Sequence, residues 1–147
     1  VTFVRDADTH ALPFPGGDLA FRVAGTADRD WFFKSGRQSV DDIRNGLAAV
    51  GSRPQDCERI LDFGCGCGRV LLWLKDLAGN TELYGTDIDS TAIDWARAYL
   101  PYVKFTVNNP LPPTECPDSF FDFVYCHSVF TSTKPTRTPG SGNCSAS

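Results

Sequence analysis

Methionine is missing altogether from this 147-residue chain, which begins at Val1, so the chain is expected to be a fragment or a processed product. Histidine occurs only at His10 and His127, and none of the six cysteines (Cys57, Cys65, Cys67, Cys116, Cys126, Cys144) stands in a C-x-x-C pair. That spacing is poor for zinc, and no metal is expected. With no secretory context a disulfide framework is not expected either, and the thiols read as small buried or loop residues. No apolar run approaches the ~18 residues that would span a bilayer. Val1 to His10 has neither the basic patch nor the apolar stretch of a signal peptide, so a cytoplasmic location and no membrane partner are expected. Clustered Lys and Arg are also missing, and the net charge is -4, which excludes nucleic-acid binding through bulk electrostatics.

What is there is the composition of one globular domain, 41% hydrophobic and 22% charged. Residues 1–38 are expected to be an irregular N-terminal arm, because Pro13, Pro15, Gly16 and Gly17 break any period. Trp31, Phe32 and Phe33 would anchor that arm to the core rather than cover a ligand. A helix is predicted from a Ser39 cap through Val40, Ile43, Leu47 and Val50, ended by Gly51. Arg59–Phe63 reads as a buried strand, and Val70, Leu71, Trp73, Leu74 and Leu77 as the stripe of a helix after it. Glu82–Thr86 is a second strand, followed by a helix capped by Ser90 and stopped by Pro101. Val103–Val107 and Phe120–Cys126 give a third and a fourth strand. Strands alternating with helices imply an α/β fold with a parallel sheet. From Thr131 to Ser147 the chain turns to Ser, Thr, Pro and Gly, and a disordered tail is expected.

The chemistry is concentrated in Leu61-Asp62-Phe63-Gly64-Cys65-Gly66-Cys67-Gly68-Arg69, which sets three alternating glycines between strand and helix. Glycine allows a turn closed to other residues and lets a ligand approach the main chain without meeting a Cβ. The helix that follows would offer free N–H groups to a carboxylate or phosphate. A dinucleotide fingerprint, G-x-G-x-x-G, would place its third glycine at position 69, which is Arg69. Asp62, two residues ahead of Gly64, would repel a pyrophosphate but suits a ligand carrying ammonium and sulfonium charge. Asp87, 19 residues after Gly68 at the end of the second strand, stands where an acid accepts hydrogen bonds from ribose hydroxyls.

On these residues the chain resembles the class I S-adenosylmethionine-dependent methyltransferase family, over about residues 39 to 130. The first motif of that family is similar to Ile60–Gly68, its ribose acid to Asp87, and its fourth-strand motif to Phe121–Tyr125. The resemblance implies a Rossmann-like parallel sheet with flanking helices and S-adenosyl-L-methionine as cofactor. It implies that Asp62, Gly64, Cys65, Gly66 and Gly68 hold the cofactor's amino-acid end and Asp87 its ribose. Ile88 would pack on the adenine, and Asn108 matches the position that contacts the adenine amino group. Cys126–Phe130 resembles the segment lining the methyl-donor pocket, so His127 is a candidate cofactor contact or proton acceptor, without a visible partner. Cys65 and Cys67 sit where a helix N-terminus would lower a thiol pKa, though a backbone role is the simpler expectation.

The family's sheet has seven strands and the pattern here fails after Phe130, so an incomplete domain of about four strands is expected. An exposed fourth strand would then favour self-association. The functional readings are a methyltransferase acting by in-line displacement on an unidentified acceptor, with a small molecule favoured, or a non-catalytic S-adenosylmethionine-binding module. An NAD-dependent oxidoreductase is a third, opposed by Asp62 and Arg69.

Overall fold

A computed structural model of the chain describes residues 6–108 and 119–126. After a 3-10 turn at Asp6–Ala11 come two helices, α1 (Gly17–Ala24) and α2 (Arg29–Ala49). Strand β1 (Arg59–Phe63) follows, then a 3-10 helix at Leu71–Leu77, β2 (Glu82–Asp87), α3 (Ser90–Tyr99), β3 (Val103–Val107) and β4 (Phe123–Tyr125). The four strands form one parallel sheet in the order β3-β2-β1-β4. Asp62 therefore has Gly85 on one side and Tyr125 on the other. Ile60, Leu83, Val103 and Phe105 face a core completed by Phe32, Phe33, Leu71, Leu74 and Ile93.

Of the irregular arm expected over residues 1–38, the described part, residues 6–38, is instead largely helical, and α2 begins ten residues before Ser39. Its cap is Asp28, whose side chain accepts from the Trp31 N–H at 3.0 Å. Phe32, Gly36, Val40, Ile43 and Leu47 are its buried stripe, and Ser39 lies inside the helix with its hydroxyl donating to the Ser35 carbonyl at 3.0 Å. Gly36, which looks like a breaker, is what lets α2 lie close: a Cβ there would collide with the Arg69 carbonyl and crowd the Trp73 ring. Tertiary packing outweighs the cost of about 1 kcal/mol for glycine in a helix. Gly51 ends α2 as expected, at φ 75, with its N–H on the Ala48 carbonyl and that of Ser52 on the Leu47 carbonyl. Phe32 and Phe33 are buried and anchor this region, whereas Trp31 is 44% exposed.

Three further boundaries differ. The segment after the glycine turn is a 3-10 helix rather than an α-helix, and the Tyr102 hydroxyl donates to the Leu71 and Leu72 carbonyls that a regular helix would use internally. The cap of α3 is Asp89 rather than Ser90, its carboxylate accepting from the N–H groups of Thr91 and Ala92. The fourth strand is shorter than Phe120–Cys126. The Asp122 carboxylate accepts from the Glu58 and Arg59 N–H groups where the ladder would have begun, and Phe120 and Phe121 turn edge-on to the Tyr84 ring. The Thr131–Ser147 tail lies outside the described residues, as does the crossover at 109–118.

Candidate functional site

The C-terminal ends of β1 and β2 carry the site. The Thr86 carbonyl accepts from the Gly64 and Cys65 N–H groups at 2.8 and 3.0 Å, so the sheet ladder runs straight into the glycine turn. Gly64, Gly66 and Gly68 have φ of 77, 55 and 79, the left-handed region that favours glycine. The alternating glycines thus meet a backbone requirement at each of their three positions.

Asp62 lies beneath this turn and is 1% exposed. Its Oδ1 has no hydrogen-bond partner, an expensive arrangement for a carboxylate shut away from water. Burial pushes its carboxyl from 3.8 up to about 7, against the opposing pull of the Tyr125 hydroxyl and the Arg69 guanidinium, with Asp87 adding to the rise. Arg69 is held from the other side. Its Nη1 donates to the Ser35 hydroxyl at 2.9 Å and its guanidinium lies 5.7 Å from the centre of the Trp31 ring. A buried carboxylate with one vacant acceptor is suited to a cationic donor.

At the end of β2, Asp87 receives the Gly66 N–H on Oδ2 at 2.8 Å and the Asp89 N–H on Oδ1 at 2.9 Å. One backbone donor on each oxygen fixes the plane of the carboxylate and leaves acceptor capacity on both. Asn108 is drawn to the same place, its N–H donating to the Asp87 carbonyl at 2.8 Å. Ile88 is 63% exposed beside it, an apolar side chain on the open rim. The structure thus brings Asp62, Gly64, Cys65, Gly66, Gly68, Asp87, Ile88 and Asn108 to one end of the sheet. His127 lies outside the described residues.

Cys65 and Cys67 are buried, and burial holds the Cys65 thiol well above its usual value and pushes the Cys67 thiol up to about 12. The activation that a helix N-terminus would bring is overridden by desolvation and the neighbouring carboxylates. No group of metal-ligating side chains forms among the described residues.

Two contributors escape the sequence pattern. Tyr125 reaches Asp62 through strand register, a long-range relation with no local signature. Helix α1 lies against the glycine turn: Val23 Cβ would stand 3.1 Å from a Cβ on Gly66, and Arg22 bonds Asp89 through Nε at 2.8 Å and Nη2 at 3.1 Å. The spacing of Leu19, Ala20, Val23 and Ala24 between Gly16-Gly17 and Gly25 is the signal that would have found α1.

A family model described as a methyltransferase domain matches residues 60–140, more than half of the chain. The ribosomal protein L11 methyltransferase of Paraburkholderia phytofirmans is 39% identical over 67 residues, 46% of this chain and 22% of that protein. The Burkholderia cenocepacia protein of the same name is 37% identical over 67 residues, with the same coverage. The chain thus spans about a fifth of the length of the curated relatives it matches. Among solved structures, the plantazolicin methyltransferase BpumL in complex with a monoazolic desmethylPZN analog and SAH matches with a TM-score of 0.53 at 17% identity. That match covers 72% of this chain and 38% of BpumL, a likeness of fold. Together with the parallel sheet and its glycine turn, the family match settles the assignment: the chain belongs to the class I S-adenosylmethionine-dependent methyltransferase domain family.

Proposed function

We propose that the chain binds S-adenosyl-L-methionine at the C-terminal end of its sheet and serves the transfer of that cofactor's methyl group to an acceptor. The observation that carries this reading is the unpartnered Oδ1 of buried Asp62 under a glycine turn, with the Asp87 carboxylate held ready at the neighbouring strand end. The residues fit the cofactor. Asp62 would take the ammonium of the methionine end, Gly64, Cys65, Gly66 and Gly68 would let that end approach the backbone, and Asp87 would accept from both ribose hydroxyls. Ile88 and Asn108 would border the adenine. His127 is proposed as a further contact or proton acceptor.

When bound, the cofactor would supply a methyl group already activated for in-line displacement by the positive sulfur, which leaves as a neutral thioether. The chain's own contribution is therefore to align and to exclude water, effects that can supply roughly 7–11 kcal/mol of a barrier. The buried floor of Asp62, Cys65 and Cys67 provides the dry end of the site. A small-molecule acceptor is in keeping with an acidic chain of net charge -4. The compartment is proposed to be the cytoplasm; among the described residues no helix is long and apolar enough to cross a membrane. The cofactor-binding unit is proposed to span residues 39–130.

Calorimetric titration with S-adenosylhomocysteine and, separately, NAD tests the reading. S-adenosylhomocysteine is expected to bind and NAD not, with Asp62→Ala and Asp87→Ala each weakening binding by about tenfold or more, the loss of a charge-assisted hydrogen bond. Binding that neither substitution disturbs overturns the site. Binding without methyl release to any acceptor would make the chain a binding module.

A further inference from the structure

The glycine turn is not open on the side of α1. Val23 rests on Gly66, and Ala20, one turn earlier on the same face, is fully buried. Phe21, on the opposite face, is 63% exposed. One forked contact ties this helix to the strand end that carries Asp87: Arg22 Nε and Nη2 reach the two oxygens of Asp89, whose N–H is in turn bonded to Asp87. Both ends of α1 are glycines in the left-handed region, Gly16 at φ 84 and Gly25 at φ 75, and neither would meet any atom if given a Cβ. Close packing does not explain these glycines. Their positive φ is what calls for glycine, Gly25 capping the helix with its N–H on the Phe21 carbonyl at 2.8 Å, and since no atom packs on either one, turning α1 about its two ends meets no steric block there.

We propose that α1 is a hinged cover over the cofactor site and that Arg22 is the positioning residue that latches it to Asp89. The proposal rests on the reading that the glycine turn and Asp87 hold the cofactor. With the latch made, Val23 covers the turn at Gly66 and Arg22 holds the helix to the segment that follows Asp87. With it broken, the helix pivots on Gly16 and Gly25, and ligand both enters and leaves more readily. A helix that merely stabilised the fold would act on the whole domain and would not speed ligand arrival.

Arg22→Ala and Asp89→Asn test this, the asparagine retaining an acceptor for the cap of α3 while removing the charge. Stopped-flow measurement of S-adenosylhomocysteine binding is expected to show both association and dissociation faster by about two- to fivefold in each variant, the range of a partly exposed ion pair. The double variant should add little to either single one. Hydrogen exchange on the unliganded chain gives a second readout: amides of Gly17–Ala24 and of Gly66 should exchange faster while those of β1 do not. Unchanged exchange across α1, or equal acceleration in β1, overturns the latch even if S-adenosylhomocysteine binds well. Failure of the wild-type chain to bind S-adenosylhomocysteine overturns the cofactor reading and, with it, the role of the cover.

Discussion

The Gly66 N–H donates to Asp87 Oδ2 at 2.8 Å, joining the middle of the glycine turn to the end of the neighbouring strand. One carboxylate thereby shapes the turn and is itself oriented by it. Asp87→Ala removes the acceptor for two backbone donors, Gly66 and Asp89, and should lower stability by about 1–3 kcal/mol in urea unfolding as well as weakening S-adenosylhomocysteine. An affinity loss with an unchanged urea midpoint would show that the turn holds its shape without Asp87.

Asp62 makes the site pH-dependent in a definite direction. Its carboxyl moves from 3.8 up to about 7 on folding, so across that window the folded chain binds more protons than the unfolded one. Its contribution to stability therefore falls as pH rises between those values and is level on either side. A cationic ligand on Asp62 needs the ionised form, so affinity for S-adenosylhomocysteine should rise as pH climbs through about 7. Asp62→Asn should flatten both profiles, measured by urea unfolding and by calorimetry at about pH 5 and about pH 8. A wild-type profile parallel to that of the variant would contradict a carboxyl raised by burial.

Strands β1, β2 and β3, the glycine turn and the two acids at its flanks were legible because each is a local pattern: an apolar run, a φ requirement, a charge at a fixed offset. Helix α2 was misread at its start because Gly36 and Ser39 carry helix-breaking and capping propensities that the packing of Phe32, Phe33 and Val40 overrides. The start of β4 was misplaced because Asp122 looks like a strand residue until its carboxylate is seen on the Glu58 and Arg59 N–H groups, 64 and 63 positions away. Tyr125 beside Asp62 and Arg22 beside Asp89 are long-range pairs of the same kind. Propensity and spacing hold no information about them.

The region before β1 is part of the core, and Phe33 shows it. Phe33 is 2% exposed, its ring centre lies 5.6 Å from that of Phe32, and the Arg29 guanidinium sits 4.7 Å from its own centre while reaching the Thr9 carbonyl. Phe33→Ala should cost about 3–5 kcal/mol and lower the urea midpoint accordingly. A cost below 1 kcal/mol would mean that this helix only lies on the surface of the sheet.

The buried thiols of the turn should be chemically silent. Cys65 and Cys67 are 7% and 2% exposed, and both are held protonated at neutral pH by burial first and by neighbouring carboxylates after it. Iodoacetamide labelling of the native chain followed by peptide mapping should leave both unmodified, with full labelling once urea unfolds the chain. Rapid native labelling of Cys67 would show instead that the turn opens readily.

Gly66 and Gly68 both have positive φ but different surroundings, so the same substitution should do different things at the two. A Cβ on Gly68 would lie 2.5 Å from Leu100 Cδ1 and 3.6 Å from the Phe105 ring, inside the core, whereas one on Gly66 would meet Val23 of α1. Either alanine pays for the left-handed backbone, about 1–2 kcal/mol. At Gly68 there is added overpacking of about 1–3 kcal/mol against residues that sheet and helix hold in place. Gly68→Ala should therefore lower the urea midpoint well beyond Gly66→Ala. At Gly66 the neighbour is the eight-residue α1, and a hinged α1 relieves the strain by moving aside. Gly66→Ala should accordingly increase hydrogen exchange in Gly17–Ala24 more than in β1, and Gly68→Ala should raise both together. Equal effects on stability and exchange at the two positions would mean that α1 is as firmly fixed as the core.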